Sequence, residues 1–173
     1  MNAGLHSFDT ASPVSLIEHI LRRYHQPLPG QVAALCAQAQ ALQKNPNEPV
    51  ALLAQVLRLL NELWAELEPH LLKEERVLFP MIEAVVVAKE SGRPPLPSPS
   101  QLAMGPIRVM RMEHDRADEI LRALAELTTH YQAVDGASEP LRALYAGLKQ
   151  LDDELREHIR IENDLLFPAV THL

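Results

Sequence analysis

The sequence predicts an all-α fold, an up-down-up-down four-helix bundle, and three observations support this prediction. Apolar residues recur in steps of three and four along four long stretches of the chain, which is the spacing of amphipathic helices. Aromatic residues make up only 4% of the composition, so Leu, Ala, Val and Ile must build the interior, and this favours helix over sheet. Short connections separate the four stretches, which predicts antiparallel neighbours.

The predicted elements follow from start and stop signals along the 173 residues. We predict four helices in a single domain of residues 1–173, at about residues 13–43, 50–89, 105–131 and 139–170. The first begins at Ser12, an N-cap residue followed by proline at the first helical position. The Pro/Ser-rich connection SGRPPLPSPS, at residues 91–100, is predicted to be non-helical.

The composition argues against several classes of partner and location. The net charge is −7 and the chain has no Lys/Arg run, so we expect no nucleic-acid partner. No apolar run reaches the roughly 18 residues of a membrane span, and MNAGLHSFDTASP lacks the basic and apolar regions of a signal peptide. The single Cys36 excludes an intrachain disulfide. We therefore expect a cytoplasmic protein without a membrane partner.

Two His-Glu pairs interrupt the apolar stripes of the second and fourth predicted helices. The stretches HLLKEERVLFP and HIRIENDLLFP carry His, Glu, Leu, Phe and Pro at the same offsets. Residues four apart share a helix face, so His70 lies beside Glu74 and His158 beside Glu162. A buried carboxylate is costly unless it is paired or metal-bound, and no Lys or Arg lies on the same stripes. The repeated pair therefore indicates a metal site.

Two further histidines extend this candidate site. His25 precedes His70, and His114 precedes His158, at nearly equal spacing, so the two halves of the chain place their polar groups alike. Imidazole and carboxylate ligands suit iron, although zinc, manganese and copper are possible on ligand type alone. Six side chains for two bridged ions leave vacant positions for small gases or oxo ligands. The predicted dinuclear site consists of His25, His70, Glu74, His114, His158 and Glu162.

These stretches, together with EHILRRYH (18–25), MGPIRVMRMEHD (104–115) and LYAGL (144–148), resemble a hemerythrin-like domain. Among such domains the chain is most similar to the di-iron proteins that repair iron centres, and the resemblance spans nearly the whole sequence. It implies a non-haem centre of two iron ions with an oxo or hydroxo bridge, held by the same six residues. In this family pattern Glu74 and Glu162 bridge the irons.

The resemblance implies a role in nitrosative or oxidative stress. We expect a protein that binds nitric oxide or reactive oxygen species and protects or repairs iron centres, with damaged iron-sulfur proteins as further partners. One alternative is a hemerythrin that binds or senses dioxygen. Another is an enzyme that reduces peroxide or oxidises iron at the same centre. A third is a metal-free helical interaction module.

One family ligand has no counterpart in this sequence. The family carries a further histidine after the first helix, whereas no histidine lies between His25 and His70. Asp118, four residues after His114 and on its face, is a candidate substitute. A solvated pair between Asp118 and Arg122 is the favoured interpretation, because such i,i+4 pairs are common on helix surfaces.

Two other departures concern cysteine and proline. Full-length repair proteins carry a small N-terminal domain with a cysteine motif, and the one cysteine of this sequence offers no counterpart. Pro27 and Pro29 follow His25, and Pro69 precedes His70. Proline inside a helix removes a hydrogen bond and clashes one turn back, so we predict local kinks that shape access to the metals.

The remaining acidic and histidine residues near the ligands are predicted to lie outside the site. Glu75 and Glu113 adjoin ligands in sequence but are expected to point elsewhere. A solvent-facing charge is favoured for Glu113 over a role in proton transfer. His19 is expected to be peripheral or to support a ligand. Three further histidines are predicted at the surface: His6, His130 and His172.

Overall fold

The computed structural model describes residues 12–173, and all regular secondary structure in this range is helical. Residues 1–11, with His6 and the start of the predicted domain, lie outside the described residues. The α-helices are α1 (Pro13–Ile20), α2 (Leu28–Gln43), α3 (Val50–Lys73), α4 (Phe79–Glu90), α5 (Pro99–Met104), α6 (Pro106–Leu127), α7 (Glu139–Ile161) and α8 (Phe167–Thr171). Three π-helical turns lie between them: Leu21–His25, Glu74–Leu78 and Glu162–Leu166.

The four predicted helices correspond to four rods, so the all-α class and the bundle are confirmed. The rods are α1 with α2, α3 with α4, α6 alone, and α7 with α8. α2 packs against α3 and α7, and α6 packs against the same two helices, which closes the ring of a four-helix bundle. None of the helices found between residues 12 and 173 is long and apolar enough to cross a membrane.

Each π-helical turn ends two residues before a proline. Gln26 donates its backbone N–H to the carbonyl of Leu21, five residues back, and Pro27 follows. Phe79 and Phe167 donate in the same way before the next two prolines of this kind. A proline has no N–H, and its ring clashes with the carbonyl four residues back, so a widened turn accommodates it.

The π-helical turns move the buried stripe by one residue after each glutamate. Steps of three and four predict Val77 on the core face after Glu74, but Val77 is 50% exposed. Leu78 is buried in its place. In the fourth rod Leu166 is buried instead of the predicted Leu165, which is half-buried. The prediction was wrong here because the widened turn inserts one residue into the helical repeat.

The prolines near the ligands affect their rods differently. In the first rod the regular α-helix is interrupted after His25, where Gln26 and Pro27 form a turn between the π-helical turn and α2, although both keep right-handed helical dihedral angles. Pro29 lies in the first turn of α2, where a missing N–H costs nothing. α3 continues through Pro69 to Lys73, so this proline does not end the helix, and the kink there stays a prediction. Buried side chains on both sides of Pro69 hold that turn in the bundle.

Two predicted boundaries also differ from the structure. Part of the 91–100 connection is helical, because α5 begins at Pro99 with Ser98 and Gln101 forming a capping box. The third rod ends at Leu127 rather than at residue 131. Thr128 closes it, and the next three residues have φ of 51°, 54° and 63°, the left-handed region that ends a right-handed helix.

The interior consists of two apolar clusters on either side of a polar layer. In α3 and the turn after it, Leu71 belongs to one cluster and Leu78 to the other. In α7 the same change occurs between Leu155 and Ile161. The polar residues of the candidate site lie between these positions. The layer is therefore enclosed by hydrocarbon above and below.

Glu154 of α7 braces the broken first rod. Arg23, before the break, donates to Glu154 Oε1 at 2.8 Å, and Gln31, after the break, donates to Oε2 at 2.8 Å. The hydrogen bond from Arg23 is the main reason that the pKa of Glu154 is lowered from 4.5 to about 2. The two interactions hold the segment that carries His25 against α7.

We expect Glu154→Gln to lower the free energy of unfolding by about 1 kcal/mol near neutral pH. Because the folded pKa lies below the unfolded pKa, the stabilisation is present above about pH 4.5 and disappears as the pH falls towards 2. Urea unfolding near neutral pH and near pH 3 measures this difference. The control is Asp153→Asn, at the residue before Glu154. Asp153 pairs with Lys149 at the surface, so this substitution should change the free energy of unfolding little. An equal loss of unfolding free energy at both pH values would contradict the assignment of this stabilisation to the ionised Glu154 carboxylate.

Candidate metal centre

The structure brings the six predicted residues together in one buried layer, and each is at most 3% exposed. His114 lies in the middle of α6, and His158 lies in the last turn of α7. His25 ends the first π-helical turn, whereas Glu74 and Glu162 begin the second and third. His70, in the last turn of α3, completes the set.

The six side chains form two overlapping groups that could each hold a metal ion. Within a group, one nitrogen or oxygen of each residue lies within 4.8 Å of the others. The first group contains His25 and His158, the second contains His70 and His114, and both contain the two glutamates. Each candidate position therefore offers two imidazole nitrogens and two carboxylate oxygens.

Glu162 spans the two groups with its two oxygens. Oε1 lies 3.0 Å from His158 Nε2, and Oε2 lies 3.0 Å from His114 Nε2. Neither Glu162 Oε2 nor His114 Nε2 makes a hydrogen bond, although both are buried. This is the geometry of a carboxylate that can bridge two cations.

Glu74 occupies the equivalent place on the other side of the layer. Its Oε2 lies 3.4 Å from His25 Nε2 and 3.5 Å from His70 Nε2, and neither of its oxygens has a hydrogen-bond partner. His25 Nε2 also lies 3.2 Å from His158 Nε2. Two ring nitrogens at this distance require a proton or a cation between their lone pairs.

Glu75 and Glu113 orient two of the histidines, so the prediction that both point elsewhere was wrong. His25 Nδ1 donates to Glu75 Oε1 at 2.9 Å, and His70 Nδ1 donates to Glu113 Oε2 at 2.9 Å. A proton on Nδ1 leaves the Nε2 lone pair facing the centre. Lys73 holds Glu113 in turn. Each carboxylate reaches a histidine on a different rod, which a helix-face argument cannot reveal.

The other two histidines differ from each other. His114 Nδ1 donates to Asn163 Oδ1 at 3.3 Å, a partner that the sequence analysis did not single out. His158 Nδ1 is buried and has no hydrogen-bond partner among the described residues. Its ring stacks on that of Tyr24, with centroids 5.2 Å apart and an interplanar angle of 4°. Aromatic packing, not a polar partner, positions His158.

The electrostatics of the layer favour added positive charge. Burial alone would raise the pKa of Glu162, but the imidazoles of His158 and His114 hold it well below its usual value. Burial would lower the pKa of His25, but Glu74, Glu162 and Glu75 together raise it above its usual value. The pKa of His114 is raised in the same way by Glu162. Glu162 thus stays ionised inside an apolar bundle.

The donor set fits resident metal ions. Mixed imidazole and carboxylate ligands suit iron and also zinc or manganese. Five buried atoms lack a hydrogen-bond partner, and all belong to the predicted ligands: Glu74 Oε1, Glu74 Oε2, His114 Nε2, His158 Nδ1 and Glu162 Oε2. Four of the five face the layer where an ion would satisfy them, and such groups are otherwise costly to bury.

The candidate substitute for the missing family histidine lies outside the layer. Asp118 Oδ2 accepts a hydrogen bond from Arg122 at 2.9 Å, and Arg156 pairs with its other oxygen. The surface ion pair is therefore confirmed, and the ligand interpretation was wrong. His130 and His172 are exposed, as predicted.

Comparison with known proteins agrees with this geometry. Residues 16–170 match the family described as the Hemerythrin HHE cation binding domain. Because the match covers almost all of the chain, the protein belongs to the hemerythrin HHE family. The family expectation derived from the sequence is thereby confirmed.

Individual relatives carry names related to iron-centre repair. The chain is 39% identical over 163 residues to the iron-sulfur cluster repair protein YtfE of Cronobacter sakazakii. It is 34% identical over 165 residues to a probable iron-sulfur cluster repair protein of Haemophilus influenzae, and 33% identical over 159 residues to YtfE of Escherichia coli O81. The matches cover 91%, 93% and 92% of this chain but 66% of each relative, just under two thirds.

We expect Glu74→Leu to abolish tight binding of two metal ions while the bundle stays folded. Both candidate metal positions lose a carboxylate oxygen. Removing a residue that only hydrogen-bonds to a ligand lowers metal affinity roughly 10- to 100-fold, and the loss of affinity here should be larger. Metal content after equilibration with Fe²⁺ under argon and far-ultraviolet circular dichroism measure the two effects.

The control for this substitution is Glu83→Gln, which changes an exposed carboxylate of α4 in the same rod. It should leave the metal content unchanged. Two tightly bound ions in Glu74→Leu would show that Glu74 is not a shared ligand.

Proposed function

We propose that this chain is a non-haem di-iron protein that binds nitric oxide or reactive oxygen species and protects or repairs iron centres. The observation that carries the proposal is the position of Glu162, whose two oxygens each lie 3.0 Å from an imidazole of a different group. The names of the relatives support iron-centre repair as the biological role. Damaged iron-sulfur proteins are accordingly the proposed macromolecular partners.

The proposed cofactor is a pair of iron ions with an oxo or hydroxo bridge. Four imidazoles and two shared carboxylates give each ion two nitrogens and two oxygens. Iron commonly accepts further ligands beyond these four, so each position has room for a small molecule. Bound iron supplies affinity for diatomic ligands and one-electron redox chemistry.

The chain's own residues would hold this centre and exclude water from it. Glu75 and Glu113 accept hydrogen bonds from the Nδ1–H groups of two histidines, His25 and His70. These bonds direct the Nε2 lone pairs towards the centre. Phe167 stacks on His114 at 6.1 Å with an interplanar angle of 6°, and Tyr24 covers His158. These apolar surfaces exclude water from the layer, which strengthens electrostatic interactions inside it.

The Nδ1 contacts also connect the layer with solvent. The Glu75 side chain is 40% exposed and that of Glu113 is 26% exposed, whereas the histidines that they contact are buried. A proton leaving or entering either imidazole therefore has a carboxylate oxygen at 2.9 Å as its first partner. The cytoplasmic location, the single domain and the lack of nucleic-acid and membrane partners stay predictions.

We expect the chain to hold about two irons after anaerobic reconstitution and to change its visible spectrum when the reduced protein meets nitric oxide. His158→Ala removes a nitrogen ligand and should lose both metal and the spectral change. His130→Ala, at an exposed histidine outside the layer, is the matched control and should behave as the wild type. Less than one iron per chain in the wild type would favour a metal-free interaction module.

The same sample separates repair from the alternative activities. Restored activity of an iron-sulfur enzyme previously damaged by nitric oxide, lost in His158→Ala, is the expected result for repair. Reversible binding of dioxygen without restoration would favour an oxygen carrier or sensor. Steady turnover of peroxide or of Fe²⁺ would favour an enzyme.

A further inference from the structure

We propose that the two metal positions are unequal, and that the ion between His70 and His114 is held more tightly than the ion between His25 and His158. The inequality rests on the proposed dinuclear site. Both positions share the same two carboxylates and have two imidazoles each. The difference therefore lies in what supports the imidazoles.

Both histidines of the tighter position have a polar partner on Nδ1. His70 donates to Glu113 at 2.9 Å, and Lys73 fixes Glu113 from its other side. His114 donates to the side chain of Asn163 at 3.3 Å. A ligating imidazole that donates its second N–H is fixed in orientation and is a more basic ligand. Glu113 and Asn163 are thus positioning residues for this ion.

The weaker position lacks this support on one of its two histidines. His158 Nδ1 is buried without a partner, so its N–H gains nothing when Nε2 binds a metal. Glu75 does support His25, but its side chain is 40% exposed, whereas Glu113 is 26% exposed and is also paired with Lys73. The weaker position thus has one exposed contact and one unpartnered nitrogen, whereas the tighter position has two part-buried contacts.

The backbone provides an independent difference. His70 and His114 lie within α-helix, and so does His158 of the weaker position. His25 ends a π-helical turn, and the next two residues form a turn before α2, although their dihedral angles stay in the right-handed helical region. Segments with fewer regular hydrogen bonds open more readily than helix interiors. The weaker position thus also has the less constrained backbone.

Ordered loading and release follow from these two differences. The first ion should occupy the position of His70 and His114, and the second should occupy the position of His25 and His158. Loss of one hydrogen-bond partner of a ligating histidine typically lowers metal affinity roughly 10- to 100-fold. The metal affinities of the two positions should therefore differ by about that factor.

Zn²⁺ is a suitable probe, because it accepts the same ligand types and has no redox chemistry. Full-length protein loaded with two equivalents of Zn²⁺ is mixed with an excess of a chromophoric chelator, and release is followed in time. We expect two phases of equal amplitude whose rates differ by about 10- to 100-fold. Circular dichroism before and after release shows that the bundle stays folded.

Matched substitutions assign the phases. Glu113→Ala and Asn163→Ala should each accelerate the slow phase and leave the fast phase unchanged. Glu75→Ala, the equivalent change at His25, should accelerate only the fast phase. A merely structural role for these residues would change both phases together or the unfolding midpoint alone, and that result would overturn the assignment.

Release of both ions in one phase would overturn the inequality and leave the dinuclear site intact. Binding of fewer than two Zn²⁺ ions by the wild type would overturn the inequality together with the two-metal site. Zn²⁺ release in two phases would support the inequality even if the iron-loaded protein neither bound nitric oxide nor restored damaged clusters. That combination of results would defeat only the proposed function. The failures are therefore distinguishable.

Discussion

Two glutamate carboxylates lie fully buried at the centre of this bundle, and the surrounding structure makes sense only if positive charge lies between them. Glu74 and Glu162 are each 0% exposed, with apolar clusters on both sides of their layer. Taking one such ion out of water costs several kcal/mol even after relaxation. Four imidazoles surround them, yet both oxygens of Glu74, Oε2 of Glu162 and Nε2 of His114 make no hydrogen bond. Bound cations would satisfy all of these atoms at once.

The backbone geometry places those carboxylates as much as the side chains do. Both glutamates are the first residues of π-helical turns that a Phe-Pro pair closes five residues later. The widened turn re-aims the following side chains, so that Phe79 and Phe167 enter the core. A π-helical turn at a functional site is a common arrangement, and here the prolines give it a local cause. Fold and site therefore depend on the same short motif.

The sequence predicted the rods and the two His-Glu pairs because both depend on one spacing. His25 and His114 were predicted from the similar spacing of the two halves of the chain and from the family resemblance. Residues four apart share a helix face, and the repeated His-Glu pair lay on stripes that were otherwise apolar. The one-residue shift after each glutamate was missed because a regular repeat of 3.6 residues was assumed through a proline. The roles of Glu75, Glu113 and Asn163 were missed for another reason. Each contacts a histidine of another rod, and periodicity within one helix carries no such information.

The most direct test is anomalous diffraction at the iron absorption edge from crystals of the reconstituted protein. We expect two separate anomalous peaks inside the polar layer, each at bonding distance from one oxygen of Glu162. One peak should also adjoin His25 and His158, and the other His70 and His114. A layer without anomalous signal, or iron bound only at surface carboxylates, would contradict the claim that metal ions neutralise this buried charge.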